Sequence, residues 1–219
     1  MLLSRPDLRR PPVLLSSTFA AVLLVSLIWG VRPAPADEAV HATDVVVAHP
    51  LVSERAARMA ASEWIQAGLG QTETIEFVKV RLAAAGLPAD LAGVPLVESG
   101  YRNLGPEANK YVDTAGIWQF IPPTARTYGL TVSADGDERR DLPKSTDAAL
   151  RLLSDLHDEF DDWGLALAAY NVGSKKVRAQ VKHHGTDDVL ALIQADALPT
   201  YAADVMAAAH VLRVGGRIE

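Results

Sequence analysis

The chain has 219 residues, 49% of them hydrophobic and 22% charged, with a formal net charge of −6. That is enough chain for one domain with a real core, and the balance excludes both a disordered polymer and a multi-span membrane protein. Nothing basic tracks a nucleic-acid backbone, so nucleic acid is not an expected partner, and the lack of cysteine excludes disulfides, thiol catalysis and thiolate metal sites.

Arg5, Arg9 and Arg10 precede an uncharged apolar run over residues 13–31, and Ala34 and Ala36 follow in an A-x-A arrangement. This is the layout of a secretory signal peptide. The run is also long enough to span a membrane. Cleavage and retention as an N-terminal anchor therefore both stay open for residues 1–36, which contact the membrane at least during export. The basic flank puts the N-terminus in the cytoplasm and the rest outside. Residues 37–52 read as a linker with a short β-prone run at Val45–Val47.

From Ser53 the pattern is helical, with short breaks. A helix is predicted from Ser53, a cap-type residue, to the glycines at 68 and 70. A second is predicted over residues 74–85, ended by Gly86, with Pro88 opening the next. In that next helix Leu91, Val94, Pro95 and Glu98 recur at intervals of three and four and share one face. Pro95 withholds a backbone donor, so the helix is expected to be irregular. A clear amphipathic helix is predicted from a Ser145 cap, with a stripe of Ala149, Leu153, Leu156, Phe160 and Trp163. Residues 164–171 are almost wholly apolar and are expected to run through the core. Residues 186–193 and 198–212 add two further helices. No sustained β alternation is seen. The domain is expected over 53–213, with a tail at 214–219.

The sequence holds no His-x-x-x-His or His-Glu-x-x-His spacing, and His183–His184 beside a lysine-rich stretch read as a solvated turn. No metal and no cofactor is expected. Three polar stretches stand in apolar surroundings: "VESGY" at 97–101, "AGIWQFIPPTA" at 115–125 and "LAAYNVG" at 167–173. Aromatic faces beside amides and hydroxyls are what a sugar-binding cleft requires. Singly, each is compatible with ordinary core packing or a helix end.

In this order, Glu-Ser, then Gly-Ile-Trp-Gln-Phe-x-Pro, then Ala-Tyr-Asn-x-Gly, the motifs resemble the catalytic domain of the lytic transglycosylases. The flavour is similar to the membrane-bound lytic transglycosylase D branch, where tryptophan precedes the glutamine. The resemblance covers residues 73–213, with agreeing connectors such as "TARTYGL" at 124–130 and "DW" at 162–163. It implies an all-α, lysozyme-like (goose-type) fold with a substrate cleft, acting on peptidoglycan glycan strands in the periplasm. It implies Glu98 as the catalytic acid, with the Tyr170 hydroxyl directed at its carboxyl. Ser99, Trp118, Gln119, Phe120 and Asn171 are implied to bind or shape substrate. No peptidoglycan-binding repeat is legible after the domain. Localisation is expected to rest on the N-terminal segment, the cleft or a partner protein in the envelope.

Glu98 shares its face with Leu91 and Val94, and desolvation there would keep it protonated near neutral pH. No second convincing carboxylate accompanies it; the acids at 158–162 read as solvated helix charge. The family reaction needs none, since the C6 hydroxyl of the muramyl residue closes on C1 and leaves a 1,6-anhydro end. Glu98 would serve as acid and then as base. Two departures stand out. Lys110 and Asp113 occupy places where the family often has a serine and a glycine, and the 102–115 loop is slightly long. A carboxylate at 113 opens the alternative of a water-using muramidase. A glycan-binding scaffold that does not cut is the non-enzymatic alternative.

Overall fold

The structure, a computed structural model, describes residues 49–108, 111–133 and 136–217. The expected signal or anchor at 1–36, the linker up to residue 48, Lys110 and the last two residues of the tail lie outside the described residues.

The described chain is helical, as expected. In order it forms α1 (Pro50–Ala60), α2 (Glu63–Leu69), α3 (Thr72–Ala84), a 3₁₀ turn at Ala89–Ala92 and α4 (Gly93–Ser99). Then come α5 (Pro122–Thr127), a minimal hairpin of β1 (Val132–Ser133) and β2 (Gly136–Asp137), and α6 (Leu142–Phe160). The chain continues through α7 (Trp163–Val172), α8 (Ser174–His184), α9 (Val189–Gln194) and α10 (Tyr201–Arg213).

Several boundaries differ from the sequence pattern, each for a local reason. The first predicted helix is two, broken at Ala61–Ser62. It begins at Pro50 rather than Ser53, because Pro50 is already set for a first-turn position and His49 Nδ1 accepts from the Leu51 N–H at 3.2 Å. Val52, assigned to the linker, is completely buried. The cap of α6 is Asp141, whose carboxylate accepts from the Lys144 N–H at 2.9 Å. Ser145 lies inside the helix, where its hydroxyl donates back to the Asp141 carbonyl at 2.7 Å. Trp163 belongs to α7, not α6, and its ring stacks on His157 at 4.1 Å. His183 and His184 close α8 rather than forming a turn; the left-handed Gly185 follows them.

The core gathers around two helices. Gly164–Ala169 of α7 are all buried, as their unbroken apolar run predicts. On α10, Ala202, Ala203, Ala207, Ala208 and Ala209 are buried, so neighbouring backbones come close. α10 packs on α1, α4 and α7. The closest approach is at Gly93, where a Cβ would stand 2.5 Å from the Val205 carbonyl oxygen. That glycine lets α4 lie directly on α10, and both helices then present their ends to one place.

Candidate active site

Glu98 sits in the last turn of α4. The helix stops there because Gly100 and Tyr101 both take left-handed backbone, with φ of 58° each. A tyrosine in that region is held by its surroundings: its ring is buried and its hydroxyl donates to the Ala92 carbonyl at 2.6 Å. The bend leaves Glu98 part-buried over the apolar face formed by Leu91 and Val94, 2% and 0% exposed.

The hydroxyl that reaches Glu98 belongs to Tyr201, the first residue of α10, which donates to Glu98 Oε1 at 2.6 Å. The Tyr170 hydroxyl instead donates to the Trp118 carbonyl at 2.7 Å. This corrects the expectation that Tyr170 points at the carboxyl. The two tyrosine rings lie nearly parallel, 8° apart, with centroids separated by 6.3 Å. Tyr170 therefore backs the tyrosine that makes the bond and pins the neighbouring turn. Tyr201 was not legible as a site residue. Its only signal is that of a lone aromatic at the head of an alanine-rich helix, after "LPT".

Two opposing effects set the acidity of Glu98. Burial disfavours the anion and dominates; the Tyr201 hydrogen bond favours the anion and offsets part of it. The result is a pKa of about 7 instead of the ordinary 4.5. Burial, and then the nearby Glu98, push both phenols well above their usual range, so Tyr170 and Tyr201 stay neutral donors.

Facing α4 is a tight turn over 115–120. Ala115 and Phe120 exchange backbone hydrogen bonds at 3.2 Å, which leaves Gly116 to Gln119 as the loop. Gly116 has φ of +80°, and a Cβ there would fall 1.9 Å from the Arg139 carbonyl, so no other residue fits. Gln119 also lies in the left-handed region, at φ of 50°. Its side chain is taken up by the turn: Oε1 accepts from the Thr114 hydroxyl and Nε2 donates to the Gly116 carbonyl, both at 2.7 Å. One N–H and one lone pair of the half-buried amide are left over.

The other implied substrate residues fare differently. Ser99 is fully buried; its hydroxyl lies 2.9 Å from the Ile117 carbonyl and 3.1 Å from that of Pro95, tying α4 to the turn. Trp118 is fully buried, with Nε1 donating to the Thr146 hydroxyl at 3.1 Å. Phe120 is 3% exposed. These three are corrected from substrate contacts to packing residues, because each side chain is enclosed by protein. Asn171 is exposed near the end of α7.

Asp113 is also accounted for. Its carboxylate accepts from Arg139 Nη1 at 2.8 Å, and the same guanidinium nitrogen donates to the Phe120 carbonyl at 3.1 Å. Arg139 is 2% exposed, and Asp137 grips its other edge through both carboxylate oxygens. The guanidinium thus fixes the base of the turn with two carboxylates around it.

Four segments converge: the end of α4, the 115–120 turn, the end of α7 and the start of α10. Together the fold and site define a lysozyme-like helical domain with one desolvated carboxyl, a tyrosine bonded to it and a rigid amide-bearing turn opposite. The chain belongs to the transglycosylase SLT domain family, whose model matches residues 79–192.

Two relatives agree. Membrane-bound lytic murein transglycosylase D of Escherichia coli (strain K12) is 43% identical over 97 residues, which is 44% of this chain and 21% of that protein. A putative tributyltin chloride resistance protein of Alteromonas sp. (strain M-1) is 35% identical over 102 residues, 46% of this chain and 48% of that protein. The match thus spans about a fifth of the first relative and about half of the second.

Proposed function

We propose that this domain is a peptidoglycan lytic transglycosylase. It cleaves the MurNAc-β-1,4-GlcNAc bond and leaves a 1,6-anhydromuramyl end, with Glu98 as the single acid and base. The observation that carries the reading is the state of Glu98: part-buried, bonded to a neutral tyrosine, and with its pKa raised to about 7, so that a large share is protonated near neutral pH.

A carboxyl group in that state can give its proton to the leaving GlcNAc O4. The anion that remains is held by the Tyr201 hydroxyl. It then takes the proton from the C6 hydroxyl as that oxygen closes on C1. An intramolecular nucleophile is already in place, so the step draws on proximity rather than on a water-activating base. Gln119 offers its remaining N–H and lone pair to the glycan from a turn that cannot relax. Exposed Asn171 shapes the adjoining rim. Ser99, Trp118 and Tyr170 act behind them by holding α4, the turn and α7 together. Asp113, the acid that would make a muramidase of this site, is occupied by Arg139.

The signal-like layout of residues 1–36 and the membrane-bound E. coli relative support work in the periplasm. Among the described residues no helix is long and apolar enough to cross a membrane. Membrane contact in this reading falls to the N-terminal segment.

The test is digestion of purified sacculi by residues 37–219, with mass analysis of the products. Anhydromuramyl ends are expected from the wild type, and Glu98→Gln should keep glycan binding while losing lysis. Reducing muramic acid ends would assign the reaction to water instead. Lysis by Glu98→Gln at the wild-type rate would remove Glu98 from the role of acid.

A further inference from the structure

The Tyr201 hydroxyl holds Glu98 Oε1 at 2.6 Å, yet this tyrosine is the first residue of α10, where a helix is least secured. Thr200, just before it, takes helical backbone at φ of −71° and ψ of 0°, and makes no side-chain cap bond. An uncapped first turn frays. Fraying here would carry the hydroxyl away from the carboxyl.

One carboxylate secures that turn from two sides. Asp204 Oδ2 accepts from the Thr200 hydroxyl at 2.9 Å. Asp204 Oδ1 lies 3.2 Å from Arg55 Nη1, on α1. Asp204 follows Tyr201 by three residues, so both stand on one side of α10, and an acid in the first turn suits the positive end of the helix. Arg55 is itself firmly placed. Its neighbours Val52 and Ala56 are 0% and 1% exposed, and α1 packs along α10. The Arg55 and Asp204 side chains are only 17% and 24% exposed. Arg55 Nε is buried with no hydrogen-bond partner, so the guanidinium depends on Asp204 for compensation. By contrast the Arg213–Asp90 pair, at the other end of α10, is 41% and 31% exposed and open to screening by salt. The charge of Asp204 is felt at the site, since it helps to push the Tyr201 phenol upward.

We propose that Arg55 is a positioning residue: through Asp204 it fixes the first turn of α10 and so keeps the Tyr201 hydroxyl on Glu98. Its importance for glycan cleavage rests on the lytic reading above. The segment matched by the family model, 79–192, contains Glu98, Gln119 and Tyr170 but none of Arg55, Tyr201 and Asp204. The flanking helices α1 and α10 are thus part of the working site.

Carbon-13 titration of the Glu98 carboxyl in the intact protein tests the role, with lytic rate and melting temperature measured beside it. Arg55→Gln should raise the Glu98 midpoint by about half a unit and slow lysis about threefold. Two effects share that sign: the Tyr201 bond that favours the anion loosens, and the charge of Asp204 is uncovered. Arg55→Lys should recover most of the shift, because a single contact at 3.2 Å needs the charge rather than the fork. The double variant Arg55→Gln/Asp204→Asn removes equal and opposite charges, so the rise it should still show comes from placement alone. Arg213→Gln breaks the pair at the far end of α10 and should lower the melting temperature slightly with the midpoint unmoved. An unmoved midpoint in Arg55→Gln, a wild-type midpoint in the double variant, or an equal rise in Arg213→Gln would each overturn the proposal. The midpoint is read without turnover. A shift as expected, with no anhydro ends from sacculi, leaves the positioning of Tyr201 standing and removes the lytic reading. Anhydro ends with an unmoved midpoint do the reverse.

Discussion

Replacing Tyr201 with phenylalanine removes one atom from the site, the hydroxyl 2.6 Å from Glu98 Oε1. That bond lowers the pKa of Glu98 against the stronger upward push of burial. Taking it away leaves desolvation unopposed, so the pKa must rise from about 7. A hydrogen bond to a charged group contributes about 1.5–3 kcal/mol, or roughly one to two pKa units, and water in the vacated space recovers part of it. A rise of about one unit is the expected net effect. A carbon-13 titration of the Glu98 carboxyl, assigned by its loss in Glu98→Gln, measures it directly. The lytic rate should fall about tenfold or more, because the anion formed after proton donation loses its donor. Tyr170→Phe is the control: its hydroxyl serves the Trp118 carbonyl, so the Glu98 midpoint should hold while the 115–120 turn loosens. An unchanged or lower midpoint in Tyr201→Phe, or the same rise in Tyr170→Phe, would refute the assignment of Tyr201 as the positioning group.

The raised pKa of Glu98 carries a stability cost whose sign is fixed. Below pH 4.5 the carboxyl is protonated in both folded and unfolded chains; between 4.5 and about 7 only the unfolded chain releases the proton, so stability falls across that window and is flat above it. Glu98→Gln removes this dependence and should gain about 3 kcal/mol on the wild type between pH 4 and pH 8, read from urea midpoints at the two values. A pH-independent difference would contradict the burial of the acid. Gly93→Ala should lose about 1–3 kcal/mol in the same assay, since its methyl would meet the Val205 carbonyl. Lysis should fall with it, because α4 must shift off α10. Arg139→Gln should cost about 1.5–3 kcal/mol by releasing two carboxylates and the Phe120 carbonyl. Circular dichroism melts and product yield from sacculi would report both losses.

The parts of the fold legible in sequence are those where burial is continuous or strictly periodic. α7 is apolar without a break from Gly164 to Ala169, and α6 keeps Ala149, Leu153 and Leu156 on one side. α8 carries no apolar stripe in its sequence, because Val177 is its one fully buried residue and lysines surround it. Asp141 and Ser145 are both cap-type residues, so the sequence pattern places the α6 cap four residues late. Pro143, at a first-turn position, decides between them. At the site, three- and four-residue spacing places Glu98 on one face with Leu91 and Val94, and only the family resemblance singles it out as the acid. The packing role of Trp118 and Phe120 was not legible, since an aromatic beside a glycan-binding motif reads as a sugar platform until the fold encloses it. Tyr201 was illegible for a different reason: its meaning comes from a contact 103 residues away in the chain.

That separation has a consequence for synthesis. The tyrosine that completes the site begins the last helix, and the same helix covers α1 and α4. A chain that has emerged only as far as α9 lacks the cover that desolvates Glu98 and the hydroxyl that steadies its anion. In that partial chain the carboxyl meets water and ionises like any surface glutamate. If the chain is exported as proposed, its acid crosses the membrane in an inert form. The carboxyl is covered and hydrogen-bonded only after residue 201 and the turns of helix behind it have arrived and docked.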